Sequence, residues 1–263
     1  MAEVTTGTLT VGDAKIPYRV AGTGPGLALV HGTGPGSLIF DHLVDEFADR
    51  STVILPEYSG SAAAEDDGAP LTLEVLAGQV AAVLEETADG PVDLLGFSLG
   101  SLVAATVAAT RPELVRRLIL VNGWSGPDDV YIHNMMTTWR DIADNTPAFT
   151  RYATFTAFSP GFLNSLGRDT VEGMIGLMQP TPGTLRHIDL NLRADIRGLL
   201  PRIEAPTLVI GSTQDGTIPV QNARDLHAAL PGSSYVEIDA GHAVIAERAE
   251  EFVGHVRDFV HAG

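Results

Sequence analysis

The run Val92-Asp93-Leu94-Leu95-Gly96-Phe97-Ser98-Leu99-Gly100-Ser101-Leu102-Val103-Ala104-Ala105 decides the fold. Val92–Leu95 reads as a short buried strand, and Leu99–Thr110 as a helix of small and apolar residues. Between them one Ser has Gly two positions before it and two after. A strand that turns so abruptly into a helix leaves no room for a Cβ at either place, which accounts for Gly96 and Gly100. Ser98 itself is then strained, with its hydroxyl projecting at the N-terminus of a helix, where developing negative charge is favoured. Ala104, Ala105, Ala108 and Ala109 let that helix pack tightly under a sheet. A serine in an ordinary βα junction is the plainer reading. The strand before it and the helix behind it favour a nucleophile.

Outward from this turn, short apolar runs alternate with longer helical stretches. Thr8–Val11 and Ile16–Ala21 read as strands around a Gly12-Asp13 turn. Leu27–Val30, Thr52–Leu55, Arg117–Val121, Thr207–Ile210 and Tyr235–Ile238 read as further strands. Leu73–Ala88, Gln221–Leu230 and Glu247–His261 have helical spacing. Between about Ser125 and Leu200 the chain reads as several helices with no strand. This rhythm predicts an α/β fold, a mostly parallel sheet with helices on both faces. Residues 1–124 and 201–263 would form the core, and 125–200 a helical cap inserted in it. In such sheets function gathers at the carboxyl ends of the strands.

A serine hydroxyl needs a base, and histidine, with an unperturbed pKa of about 6.5, suits the task. His242, in Ala240-Gly241-His242, directly follows a strand. His227, His255 and His261 fall on surface helices, His42 on the first helix, and His133 and His187 in the insertion. Each of these reads as solvated or packing. The acid that orients the base is expected after a strand too. Asp215 stands there, in Gly211-Ser212-Thr213-Gln214-Asp215-Gly216, with a turn-forming role as its plainer reading. Asp239 is the alternative acid, but it lies too near His242 in sequence, and Asn122 has no charge to offer. The order Ser98, Asp215, His242 is more specific than any one of the three.

His31-Gly32-Thr33-Gly34-Pro35-Gly36 follows the Leu27–Val30 strand. An oxyanion needs preorganised N–H donors, and the backbone N–H groups of Thr33 and Leu99 are the expected pair, with Gly34 second to Thr33. A dinucleotide loop is the competing reading of these glycines, with Glu57 near where a ribose-binding acid would fall. It fails because Ser37 stands where the third Gly should be and Pro35 interrupts the turn. No phosphate-loop or zinc-protease motif occurs.

Together these residues resemble the α/β-hydrolase superfamily over essentially the whole chain. Ala21-Gly22-Thr23-Gly24-Pro25 and Ala205-Pro206-Thr207-Leu208-Val209-Ile210-Gly211 add to the match. The resemblance implies an eight-stranded sheet, a helical cap and no cofactor. The His31–Gly36 loop is locally similar to that of carbon–carbon-bond hydrolases acting on ring-fission products. Those enzymes often carry Trp after the catalytic His, where this chain has Ala243. Pro56-Glu57-Tyr58-Ser59-Gly60-Ser61 departs from the superfamily's usual Asp-x-Arg-Gly-x-Gly segment, which predicts altered loop support near the site.

Eight of the sixteen aromatic residues lie between Trp124 and Leu200, accompanied by four methionines. They serve either as a core for the cap or as walls for an apolar or aromatic small-molecule substrate. Trp124, Trp139, Phe155 and Phe158 are the candidate substrate contacts, and Arg140, Arg151, Arg186 and Arg193 the candidate carboxylate binders.

A formal charge of −17 argues against nucleic acid and anionic membranes as partners. With no cysteine, disulfides and thiol nucleophiles are excluded. The N-terminal stretch has no signal-peptide pattern and no window is apolar for long enough to span a bilayer, so a cytoplasmic enzyme is expected, with neither metal nor cofactor. Hydrolysis of an ester, thioester or related carbonyl through a Ser98 acyl-enzyme is the favoured reaction. Carbon–carbon hydrolysis of diketones, or a receptor or non-hydrolytic role that keeps the triad, are the alternatives.

Overall fold

A computed structural model of the chain describes residues 3–61, 63–176 and 178–261. It opens with β1 (Val4–Val11) and β2 (Ala14–Ala21), a hairpin turning through Gly12 and Asp13. Then come β3 (Gly26–Val30), α1 (Asp41–Ala48), β4 (Thr52–Pro56), α2 (Leu73–Thr87), β5 (Val92–Phe97), α3 (Leu99–Thr110) and β6 (Val115–Val121). Helices α4 (Val130–Asp141), α5 (Thr146–Ala157), α6 (Pro160–Leu166), α7 (Arg168–Met174) and α8 (Pro182–Asn191) follow before the sheet resumes. It ends with β7 (Thr207–Ser212), α9 (Gln221–Ala229), β8 (Ser234–Ile238), α10 (Val244–Glu247) and α11 (Ala249–Val260).

The eight strands form one sheet in the order β1-β2-β4-β3-β5-β6-β7-β8. The β1–β2 and β2–β4 pairs are antiparallel; the rest are parallel. Side-chain alternation explains why the central strands read as unbroken apolar runs. Leu27 and Leu29 enter one core with Phe47 of α1 and Phe252 of α11. Ala28 and Val30 enter the other with Leu76 of α2 and Leu102 of α3. A strand covered on both faces has no polar side to show.

From β3 the chain moves outward to β4 and then returns past β3 to β5. This reversal opens a crevice at the carboxyl ends of β3 and β5. The His31 loop and Ser98 both start there, so topology alone brings them together.

The predicted final helix from Glu247 is broken. Arg248, with φ −134° and ψ 46°, separates α10 from α11. The Glu247 side chain turns inward at this break, where both carboxylate oxygens accept hydrogen bonds from Ser159. No helix among the described residues is long and apolar enough to cross a membrane.

Candidate active site

Ser98 sits between β5 and α3 at φ 56° and ψ −123°, one of two non-glycine residues at positive φ among those described. The close approach predicted for its glycines is present. A Cβ on Gly96 would lie 2.1 Å from the Gly100 carbonyl oxygen, and one on Gly100 would lie 2.2 Å from that of Val30. Leu99 begins α3, so its backbone N–H has no carbonyl partner within the helix. α3 is buried from Leu99 to Ala109, and its dipole is directed at Ser98 from an interior with little solvent screening.

His242 Nδ1 lies 2.7 Å from Asp215 Oδ2. The other Asp215 oxygen accepts the backbone N–H groups of Thr217 and Ile218, each at 2.7 Å. An acceptor-only carboxylate satisfies all three contacts, so Nδ1 carries the proton and Nε2 is left as the basic nitrogen. The His242 ring packs on Phe97, the residue before Ser98, with centroids 5.1 Å apart. Asn122, the second residue at positive φ, donates from Nδ2 to the His242 carbonyl at 2.8 Å and to Ser212 Oγ at 2.9 Å. Asp239 faces elsewhere, accepting from Thr213 Oγ1 and Gln214 Nε2.

The corner between α5 and α6 braces these loops. Thr156 O accepts from Thr217 Oγ1 at 3.1 Å, and Ala157 O from the Ala243 N–H at 2.8 Å. Ser159 binds Glu247 through its backbone N–H and its hydroxyl, both at 2.7 Å.

The loop after β3 presses on Ser98 from the other side: a Cβ on Gly32 would stand 2.9 Å from Ser98 Cβ. Its support is the altered segment after β4. Tyr58 Oη donates toward the carbonyls of His31 at 2.6 Å and Gly32 at 3.0 Å, and its ring stacks on His31 at 3.9 Å. Glu57 Oε1 accepts from Ser37 N and Oγ at 2.9 and 2.6 Å, while Oε2 lies 3.3 Å from His31 Nε2. Burial alone would raise the Glu57 carboxyl. The adjoining His31 imidazole and the Ser37 hydroxyl outweigh it and hold the group down at about 2. A depressed carboxylate stabilises the fold fully above its unfolded value near 4.5, and that contribution fades as pH falls toward 2. Glu57→Gln is therefore expected to lower stability at pH 7 by about 2 kcal/mol, with the gap to wild type closing between pH 4.5 and 2. Urea unfolding at pH 7, 4 and 3 checks this; a gap that does not change with pH would contradict it.

Ser98, His242 and Thr33 all open onto one cavity of about 450 Å3, within the usual size for a small-molecule site. Its walls are apolar, with Phe97, Ile39 and Ile245 from the sheet side and Met136, Trp139, Phe158, Phe162, Leu166, Met174 and Met178 from the inserted helices. No Arg, Lys, Asp or Glu stands among the described lining residues. The four candidate arginines are engaged elsewhere: Arg140 with Asp189, Arg151 with Glu172, Arg186 with Asp66, and Arg193 with the carbonyls of Leu71 and Asp189.

Of the four aromatic contacts expected from sequence, Trp139 and Phe158 line this cavity and two do not. Trp124 follows β6 into the core and is completely buried there. Phe155 is 70% exposed, because Phe149, Ala153 and Thr156 make the buried stripe of α5 and position 155 falls off it. From sequence, His187 of α8 reads as solvated or packing, and Asn191 on the same helix is not singled out. They are buried one helical turn apart, and both bond to the His31–Gly36 loop. No motif marks them, since their partners in that loop lie more than 150 residues away. Among the described residues no group of three or more His, Asp or Glu side chains could hold a metal ion.

A family model described as the α/β hydrolase fold matches residues 25–249. The chain belongs to the α/β-hydrolase family. Among curated relatives, the pyrrolizixenacetamide deacetylase of Xenorhabdus hominickii is 38% identical, covering 95% of this chain and 96% of that one. A pimeloyl-acyl-carrier-protein methyl ester esterase of Neisseria meningitidis is 32% identical, covering 88% of this chain and 75% of its own. Among solved structures, an α/β-hydrolase enzyme from a Medee basin deep-sea metagenome library superposes with a TM-score of 0.88 at 20% identity, over 97% of both chains. That likeness concerns the fold alone.

Proposed function

We propose that the protein is a serine hydrolase of uncharged, apolar or aromatic carboxylic esters, acting through a Ser98 acyl-enzyme. The observation that carries this reading is the Asp215–His242 pair, 2.7 Å apart, with His242 and the strained Ser98 opening onto one cavity free of Arg, Lys, Asp and Glu among the described residues. Nε2 of His242 takes the Ser98 proton as the hydroxyl oxygen attacks the carbonyl carbon, and Asp215 stabilises the resulting imidazolium. The oxyanion is met by the N–H groups of Thr33 and Leu99. Collapse expels the alcohol, which receives the proton from His242. Water, deprotonated by the same nitrogen, then releases the acid and restores Ser98.

Helices α4–α8 act as the cap, with Trp139 and Phe158 as substrate contacts. Amide hydrolysis is a second reading, favoured by the similarity to the deacetylase. It needs the same groups, with His242 protonating an amine as it leaves. Apart from the His42 and His242 imidazoles, the cavity offers no basic side chain to pair with a carboxylate, and an unpaired buried charge costs several kcal/mol. A neutral aryl ester should therefore exceed the same ester with a carboxylate at the end of its acyl chain by about a hundredfold in kcat/KM. Equal rates, or preference for the acid, would sink the uncharged-substrate reading. Absence of turnover of any ester or amide by folded protein would sink hydrolysis.

A further inference from the structure

The His31–Gly36 loop is gripped from two directions, and one grip comes from the inserted helices. His187 and Asn191 stand one turn apart on α8. His187 Nδ1 accepts the backbone N–H of Gly34 at 3.2 Å, while Nε2 lies 2.9 Å from the Ser59 carbonyl oxygen. Only a neutral ring with its proton on Nε2 satisfies both partners. Asn191 Nδ2 donates to Thr33 Oγ1 at 2.9 Å. Two consecutive loop residues are thus held by side chains from one turn of one helix. Burial keeps His187 from protonating until about pH 3, so the grip is unchanged across the neutral range.

We infer that His187 and Asn191 are positioning residues of the oxyanion hole, which withdraw the Gly34 N–H from the reacting carbonyl and fix Thr33 so that its own N–H faces Ser98. The inference rests on the Ser98 hydrolase reading. It makes the insertion part of the catalytic geometry as well as a wall of the cavity. Neither residue touches the reacting atoms; each acts through the loop. Preorganisation of this kind affects the transition state more than the bound substrate, so its loss should lower kcat and leave KM nearly unchanged.

The test uses the full chain with a neutral aryl ester, in wild type, His187→Leu, His187→Gln and Asn191→Leu. Readouts are kcat, KM, melting temperature, hydrogen exchange of residues 31–36, and fluorophosphonate labelling of Ser98. The two Leu variants should lose about tenfold to a hundredfold in kcat, with KM within about twofold and faster exchange in the loop. His187→Gln should recover most of the rate, because a carboxamide offers both an acceptor for Gly34 and a donor for Ser59.

Asn191→Leu separates positioning from stability. Asn191 Oδ1 is buried with no hydrogen-bond partner among the described residues, so a Leu of similar size removes an unsatisfied atom. Its melting temperature should hold or rise while kcat falls; a residue that was merely structural would not separate the two. Wild-type rate and loop exchange in folded Asn191→Leu and His187→Leu, with Ser98 still labelled in wild type, would overturn the inference and leave the hydrolase reading standing. Failure to label Ser98 in wild type would overturn the hydrolase reading and the inference with it.

Discussion

Asp215→Asn is expected to lower kcat by about ten-thousandfold without unfolding the protein. The size follows from which atoms Asp215 already satisfies. One of its oxygens accepts the N–H groups of Thr217 and Ile218, and the other faces His242 Nδ1. An amide in the same place must turn its oxygen toward the two N–H donors, which directs its NH2 at the imidazole. Nδ1 then becomes an acceptor and the proton moves to Nε2, where it blocks removal of the Ser98 proton. Van der Waals packing hardly changes, so thermal unfolding should stay close to wild type. Steady-state hydrolysis of a neutral aryl ester, with thermal unfolding alongside, reads both effects. A variant within tenfold of wild type would show that Asp215 does not set the tautomer.

Gly100→Ala is expected to cost about 3 kcal/mol or more of stability. Its Cβ would stand 2.2 Å from the Val30 carbonyl oxygen and 2.3 Å from that of His31. Both are backbone atoms at the end of a central strand, with no rotamer by which to yield. α3 would have to move off the sheet and take Leu99 with it. Gly78→Ala is the matched control. It lies in α2, where a Cβ would meet nothing within 4 Å, and should stabilise the chain by up to about 1 kcal/mol. Urea unfolding of the two variants should move in opposite directions; a neutral Gly100→Ala would mean that the turn is looser than described.

The features legible from sequence were those with local causes. The apolar runs of β3 to β7 stand out because both faces of the sheet are covered, and the glycine spacing around Ser98 because one tight turn demands it. Asp215 and His242 each follow a strand, and the sheet brings them to 2.7 Å. What could not be read were relations between distant segments. Glu57 and Tyr58 fall where a familiar motif is missing, and only the fold shows them supporting Ser37, His31 and Gly32. His187 read as a solvated or packing histidine because its partners, Gly34 and Ser59, are remote in sequence. Trp124 and Phe155 show the same limit for apolar residues. Composition marks a segment as rich in aromatic rings without saying whether a ring faces the core, the cavity or solvent.

Activation of Ser98 as a nucleophile is read by treating the folded protein with a fluorophosphonate, then measuring intact mass and mapping the labelled peptide, with Ser98→Ala in parallel. The expected result is one adduct per chain, on the peptide holding Ser98, absent from the Ser98→Ala protein and strongly slowed in Asp215→Asn. An unlabelled Ser98 in folded protein, or an adduct that persists in Ser98→Ala, would contradict it.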